Sequence, residues 1–201
     1  MSDQKDGEQV RTEASPPDVR GYPSDLERSA VLADGRQVSI RPILPSDAAE
    51  LRRALATADY ATLHARFLGA PPHDDASIRR LVEVDYASRL ALVAFAPDGT
   101  GVGVARYEGE PGNPTAEVAV AVHAQWRRVG LGSLLLRQLG QAALSRGVTR
   151  FTAITQAENR PALSVLNASG LPFTLEIHEA TSEIVMLLEE PATPVDGGGD
   201  A

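Results

Sequence analysis

The sequence predicts an α+β domain on one central mixed, mostly antiparallel sheet of about seven strands flanked by helices, and three observations carry that prediction. Asp34-Gly35 stands between two β-prone runs in "SAVLADGRQVSIRPI" (29–43), a strong short-range hairpin signal. Three strand-like runs follow one another between residues 89 and 122, joined by short turns. Helical and strand patterns then alternate before a final pair of strands, an order that builds a single sheet.

The hairpin opens the domain. "PSDAAELRRALATA" follows, with Pro45, a Ser46 or Asp47 cap and apolar positions at helical spacing, so a helix starts near residue 46. "DYATLHARFLG" and "DASIRRLVEV" read as two further short helices, parted by the breaker "APPHD". "RLALVAFA" and "GVGVARYEGE" form a second hairpin across the turn "PDGT", and "TAEVAVAV" alternates as a third strand ending near Val122. The apolar run from Leu131 to Ala143 suits a helix closed by Gly147. "RFTAITQ" is a strand, "RPALSVLNASG" a helix with Pro161 in its first turn and Gly170 at its end, and "FTLEIH" and "EIVMLL" are the last two strands.

With 201 residues the chain is long enough for one well-cored domain. Residues 1–28 carry seven acidic and four basic side chains and residues 189–201 four acidic and none basic, so most of the net charge of −8 belongs to the two flanks. Both flanks are rich in Pro, Gly and Ser and poor in apolar residues, a composition that cannot offset its ordering entropy. They are expected to be disordered acidic tails around a domain at 29–188, neither long enough to form a further domain. The absence of cysteine excludes disulfides, thiolate metal sites and a thiol nucleophile. No apolar run approaches the roughly 20 residues of a membrane span and "MSDQKDGEQV" is no signal peptide, so a cytoplasmic protein is expected. A nearly neutral core without a helix-turn-helix pattern argues against nucleic acid as a partner.

"RRVGLGSLL" (127–135) holds the chemistry. It cannot be a dinucleotide fingerprint, because Leu135 stands where the third glycine belongs, nor a Walker loop, because no lysine is there. A third reading fits: glycines at 130 and 132, directly after a strand and directly before a helix, let several N–H groups converge at the positive helix end, where a pyrophosphate is stabilised. A tight turn serving helix packing alone is the alternative.

With Arg127, Gly130 and Gly132 in R-x-x-G-x-G, the chain resembles the GNAT family of N-acetyltransferases over roughly residues 36–188. "AEVAVAVHAQWRRVGLGSLLL" is similar to the family's central motif and "AENRPALSVLNASGLPF" to its C-terminal one. "DGRQVSIRPILPSDAAELRRAL", "TLHARFLG" and "VDYASRLALVAF" look most like catalytic domains of bacterial protein lysine acetyltransferases. The resemblance implies acetyl-CoA as cosubstrate. It implies backbone contacts to the pantetheine arm from Val120, Ala121 and Val122, and a pyrophosphate wrapped by Arg127, Arg128, Val129, Gly130, Leu131, Gly132 and Ser133. Asn159 falls at the family's usual cofactor-contacting asparagine. The implied acceptor is a protein lysine or a small-molecule amine, and a homodimer is compatible with it.

Acetyl transfer to an amine needs the neutral nucleophile. Lysine's ordinary pKa of about 10.4 makes deprotonation at pH 7 cost roughly 4.6 kcal/mol, so a base is expected. Period-2 alternation puts Val118, Val120 and Val122 on one face of "TAEVAVAV" and Glu117, Ala119 and Ala121 on the other, leaving open space before the carboxylate. The resemblance points to Glu117 too, as relatives often use a glutamate on this strand; a solvated carboxylate at a strand start is the alternative. His123 is the second candidate, by its near-neutral pKa. Many members place a tyrosine seven residues after the asparagine as general acid; here it is Leu166, so none is assigned. Tyr60, His64, Arg66 and Tyr86 fall where the family builds its acceptor site, more simply as structural residues, and Trp126 reads as packing beside the loop. His64, His73, His123 and His178 show no ligand spacing, so no metal is expected. A non-catalytic module that binds acetyl-CoA is the rival reading, favoured by Leu166 and opposed by Glu117.

Overall fold

The computed structural model describes residues 19–58, 72 and 74–188; the expected helix "DYATLHARFLG" with Tyr60, His64 and Arg66, as well as His73 and residues 1–18 and 189–201, lies outside them. The described chain runs β1 (Arg28–Val31), β2 (Gln37–Pro42), α1 (Ala48–Thr57), α2 (Asp75–Val82), β3 (Arg89–Phe95), β4 (Gly101–Gly109) and β5 (Thr115–Val122). It continues with α3 (Leu131–Leu144), β6 (Arg150–Gln156), α4 (Arg160–Ser169), β7 (Phe173–His178) and β8 (Thr181–Leu187). The eight strands form one sheet in the order β1-β2-β3-β4-β5-β6-β8-β7. Every pairing is antiparallel except β5 with β6, where α3 supplies the crossover that a parallel pair requires.

Residues 19–28 pack onto the sheet ahead of residue 29. Val19, Tyr22 and Leu26 pack against the core, Tyr22 meets Tyr86 edge-on at 5.7 Å, and β1 begins at Arg28. Three apolar side chains in a polar stretch are enough to hold this segment, and composition averaged over the whole flank hides them. Gly35 takes φ +84° in the hairpin turn, as the Asp-Gly signal requires.

Helices cover both faces of the middle strands. On one face Leu131, Leu135, Leu136 and Leu139 of α3 are buried against Leu90, Leu92, Ala105, Tyr107 and Phe151. On the other, Leu51 of α1 and Val82 of α2 join Ile43, Ala91, Val93 and Val104. Asp47 pins the junction of β2 and α1. Its carboxylate accepts from Arg41 Nη1 and Nη2 (2.8 and 2.7 Å) and from the Leu44 N–H (2.8 Å).

Candidate active site

β5 and β6 set the site's geometry. Their ladder holds for three pairs, Thr115–Arg150, Ala116–Phe151 and Glu117–Thr152, and stops there although the strands run on to Val122 and Gln156. Beyond Glu117 the two strands part. Backbone groups of successive strand residues turn to alternate sides. The His123 N–H donates to the Val102 carbonyl next to the Gly103–Val122 pair, so Val118, Val120 and Val122 turn theirs away from β4, into the gap. Ala121 turns its backbone toward β4, and the Val122 carbonyl already accepts from Arg127 Nε at 3.2 Å. The Val118 N–H closes the last pair of the β5–β6 ladder by donating to Thr152, so the edge open to an incoming chain is the Val118 carbonyl, Val120 and the Val122 N–H.

Residues 127–133 close the wide end of the gap. Arg128 (φ +60°) and Gly130 (φ +87°) are both left-handed, which turns neighbouring N–H groups toward a common side. Gly130 is the N-cap of α3 and no side chain caps that helix, so its first N–H groups lack intrahelical acceptors. Ser133 donates its hydroxyl to the Gly130 carbonyl (3.0 Å), which leaves its N–H as its contribution to the loop. Leu131 is buried in the core and contributes backbone alone. Gly132 is needed for packing as well: a Cβ there would lie 3.1 Å from Val165 of α4. Packing of α3 on α4 therefore accounts for Gly132, and the left-handed Gly130 for the turn into the helix.

Asn159 has a job that spacing does not reveal. It caps α4, accepting from the Ala162 N–H (3.0 Å) while its amide donates to Thr155 Oγ1 (2.7 Å). Leu166 is buried on the same helix, in the core. Tyr86 is structural: it is buried, with φ +58°, and its hydroxyl donates to the Ile43 carbonyl at 2.8 Å.

Glu117 is exposed at the point where the strands part. His123 follows six positions later, about 20 Å along an extended strand, so the two base candidates serve opposite ends of the gap. The Nδ1 of His123 is buried without a hydrogen-bond partner, at the edge of a cavity of about 140 Å³ between α1 and the sheet that Leu51, Ala54, Val93, Phe95 and Val104 also line.

Glu108, which sequence reasoning did not single out, is the direct cross-strand partner of Glu117. Like charges so placed repel. Arginines from three elements offset this: Arg80 donates to Glu108 at 2.6 Å, with Arg89 and Arg106 at 3.4 and 3.5 Å. Burial pushes the Glu108 carboxyl up, but the Arg80 hydrogen bond and the three positive charges together hold it below its ordinary range. A depressed carboxylate stabilises the fold above its unfolded pKa, ordinarily 4.5, and loses that contribution as pH falls through its folded value. Glu108→Gln is accordingly expected to be less stable than the parent at neutral pH, with the difference closing in acid. Urea midpoints across that range check it, and parallel curves would remove the arginine cluster from the account.

Among the described residues no helix is long and apolar enough to cross a membrane. Comparison with known proteins agrees with the geometry. Residues 57–170 match the family described as Acetyltransferase (GNAT) family. Over 143 residues, 69% of this chain and 77% of the relative, the chain is 32% identical to the acetyltransferase PA5475 of Pseudomonas aeruginosa. It is 29% identical over 164 residues to the acetyltransferase Pat of Mycolicibacterium smegmatis, covering 81% of this chain and 48% of that protein, about half its length. The crystal structure of the GNAT domain of S. lividans PAT superposes with a TM-score of 0.74 at 26% identity, over 83% of this chain and 99% of that one. A fold shared along nearly all of that domain, with a family match from the end of α1 to the cap of α4, makes this chain an acyltransferase of the GNAT family with acetyl-CoA as its cosubstrate.

Proposed function

We propose that the enzyme acetylates a primary amine, a protein lysine in the cytoplasm, by direct attack within a ternary complex. The observation that carries this reading is the parting of β5 and β6 at Glu117, which brings an open carboxylate to the start of an unpaired backbone edge. The pantetheine arm lies along the Val118 carbonyl, Val120 and the Val122 N–H, and the pyrophosphate rests on the N–H groups of residues 127–133. Asn159 holds the start of α4 beside the arm and has one amide hydrogen left for it.

The amine nitrogen attacks the thioester carbonyl carbon while Glu117 takes its proton, directly or through a water. The tetrahedral intermediate collapses, the C–S bond breaks and CoA leaves as thiolate. A thiol's ordinary pKa of about 8.5 makes this leaving group tolerable without a protein acid, in keeping with Leu166. The chain has no cysteine to carry the acyl group as a thioester, which favours direct attack. The lysine acceptor is supported by the similarity to Pat and to the S. lividans PAT domain.

Release of free CoA from acetyl-CoA, followed with a lysine-bearing protein and separately with small amines, tests the reading. Release with the protein, and acetyl-lysine located by mass spectrometry, is expected. Release with small amines alone would move the acceptor to that class. Binding of acetyl-CoA with no release in either arm would make the chain a binding module.

A further inference from the structure

The β1–β2 turn reaches across the molecule to the loop between β5 and α3. The Ala33 N–H donates to the Val129 carbonyl at 3.2 Å, and Arg36 Nη1 donates to the Gln125 carbonyl at 3.0 Å. The Arg36 guanidinium lies 4.1 Å from the centre of the Trp126 ring, a cation–π contact. Asp34 aims this arginine, accepting from its Nε at 2.6 Å and from its backbone N–H at 3.2 Å. The three contacts fall on residues 125, 126 and 129, on either side of Arg127 and Arg128 and directly ahead of Gly130. Among the described residues, no other side chain holds the loop from outside its own segment by a hydrogen bond given to a loop carbonyl.

This loop needs holding. Arg128 is left-handed, which costs a non-glycine residue about 1–2 kcal/mol, and no side chain caps the helix start that follows. A loop that spends only part of its time in the binding shape weakens the apparent affinity by that fraction.

We propose that Arg36, aimed by Asp34, is a positioning residue that holds residues 125–130 in the pyrophosphate-binding shape before the cosubstrate arrives. This rests on the reading of that loop as the pyrophosphate site. Arg36 engages the chain at Gln125 and Trp126, ahead of residues 127–133, so its effect passes through the loop's shape and is confined to the part of the donor that the loop touches.

The test compares binding of acetyl-CoA with that of S-acetylpantetheine, which lacks the pyrophosphate, by calorimetry on the parent, Arg36→Ala and Arg36→Lys, beside urea unfolding of each without ligand. Arg36→Ala is expected to weaken acetyl-CoA binding by about five- to tenfold, a fraction of the worth of one charged hydrogen bond and one cation–π contact. S-acetylpantetheine binding stays as in the parent, and the ligand-free unfolding midpoint falls slightly, because the contacts that hold the loop are made before ligand arrives. Arg36→Lys recovers part of the affinity, because an ammonium can still stand over Trp126. Equal weakening of both donors or unchanged acetyl-CoA affinity would overturn the proposal. A parent protein that binds both donors equally well would instead overturn the pyrophosphate reading of the loop, a failure seen before any variant is made.

Discussion

Glu117→Gln is expected to lower turnover by about 10²- to 10³-fold, within the range for losing a positioned general base. The substitution keeps size and polarity but cannot accept the amine proton, so the nucleophile must reach the thioester by its rare neutral form in solution. Acetyl-CoA affinity should not change, because the backbone edge of Val118 to Val122 and the loop at 127–133 are untouched. The rate deficit should shrink as pH rises toward the acceptor's own pKa, since solvent then does the base's work. Steady-state kinetics over that pH range, with acetyl-CoA titrated separately, give the answer. Parent-like turnover at neutral pH would take Glu117 out of the reaction, and the 20 Å or so of strand between it and His123 means that the histidine could not stand in at the same place.

Phe151→Ala should destabilise the fold by about 3–5 kcal/mol, as for other large-to-small changes in cores. Phe151 is fully buried, its ring 5.6 Å from that of Tyr107, and its backbone pairs with Ala116 in the short β5–β6 ladder and with Met186 of β8. Stability of small domains is only about 5–15 kcal/mol, so this one change puts much of it at stake. Denaturant unfolding measures the loss; a change below about 1 kcal/mol would mean that Tyr107 and the α3 leucines close the space completely.

The elements the sequence announces most clearly are those whose signals are local. The alternation of 115–122, the Asp34-Gly35 turn and the Gly170 stop each depend on a few neighbouring residues, and the structure has them in place, with Gly35 and Gly170 at φ +84° and +73°. The loop and its helix were legible for the same reason. What the sequence conceals depends on register between distant segments. Nothing in "ARYEGE" says that Glu108 will face Glu117, or that arginines from α2, β3 and β4 will gather on it. The end of the β5–β6 ladder is hidden because both strands keep their pattern past the last pair. The edge that the Ala121 backbone addresses is hidden because alternation sorts side chains to faces, whereas the edge follows from where the pairing with β4 begins. Arg36 lies 89 positions from its acceptor, beyond any spacing rule.

The parted strands have a further consequence. A sheet of eight strands ordinarily exposes two rims, and here β1 and β7 supply them. The gap beyond Glu117 adds a third, in the interior, where backbone donors and acceptors face an empty lane with fixed spacing. On the proposed binding mode, a flexible amide-bearing arm laid there would act as a temporary ninth strand and extend the hydrogen bonding of the sheet while it stays. Substrate entry and completion of the architecture would then be one event, undone at each turnover.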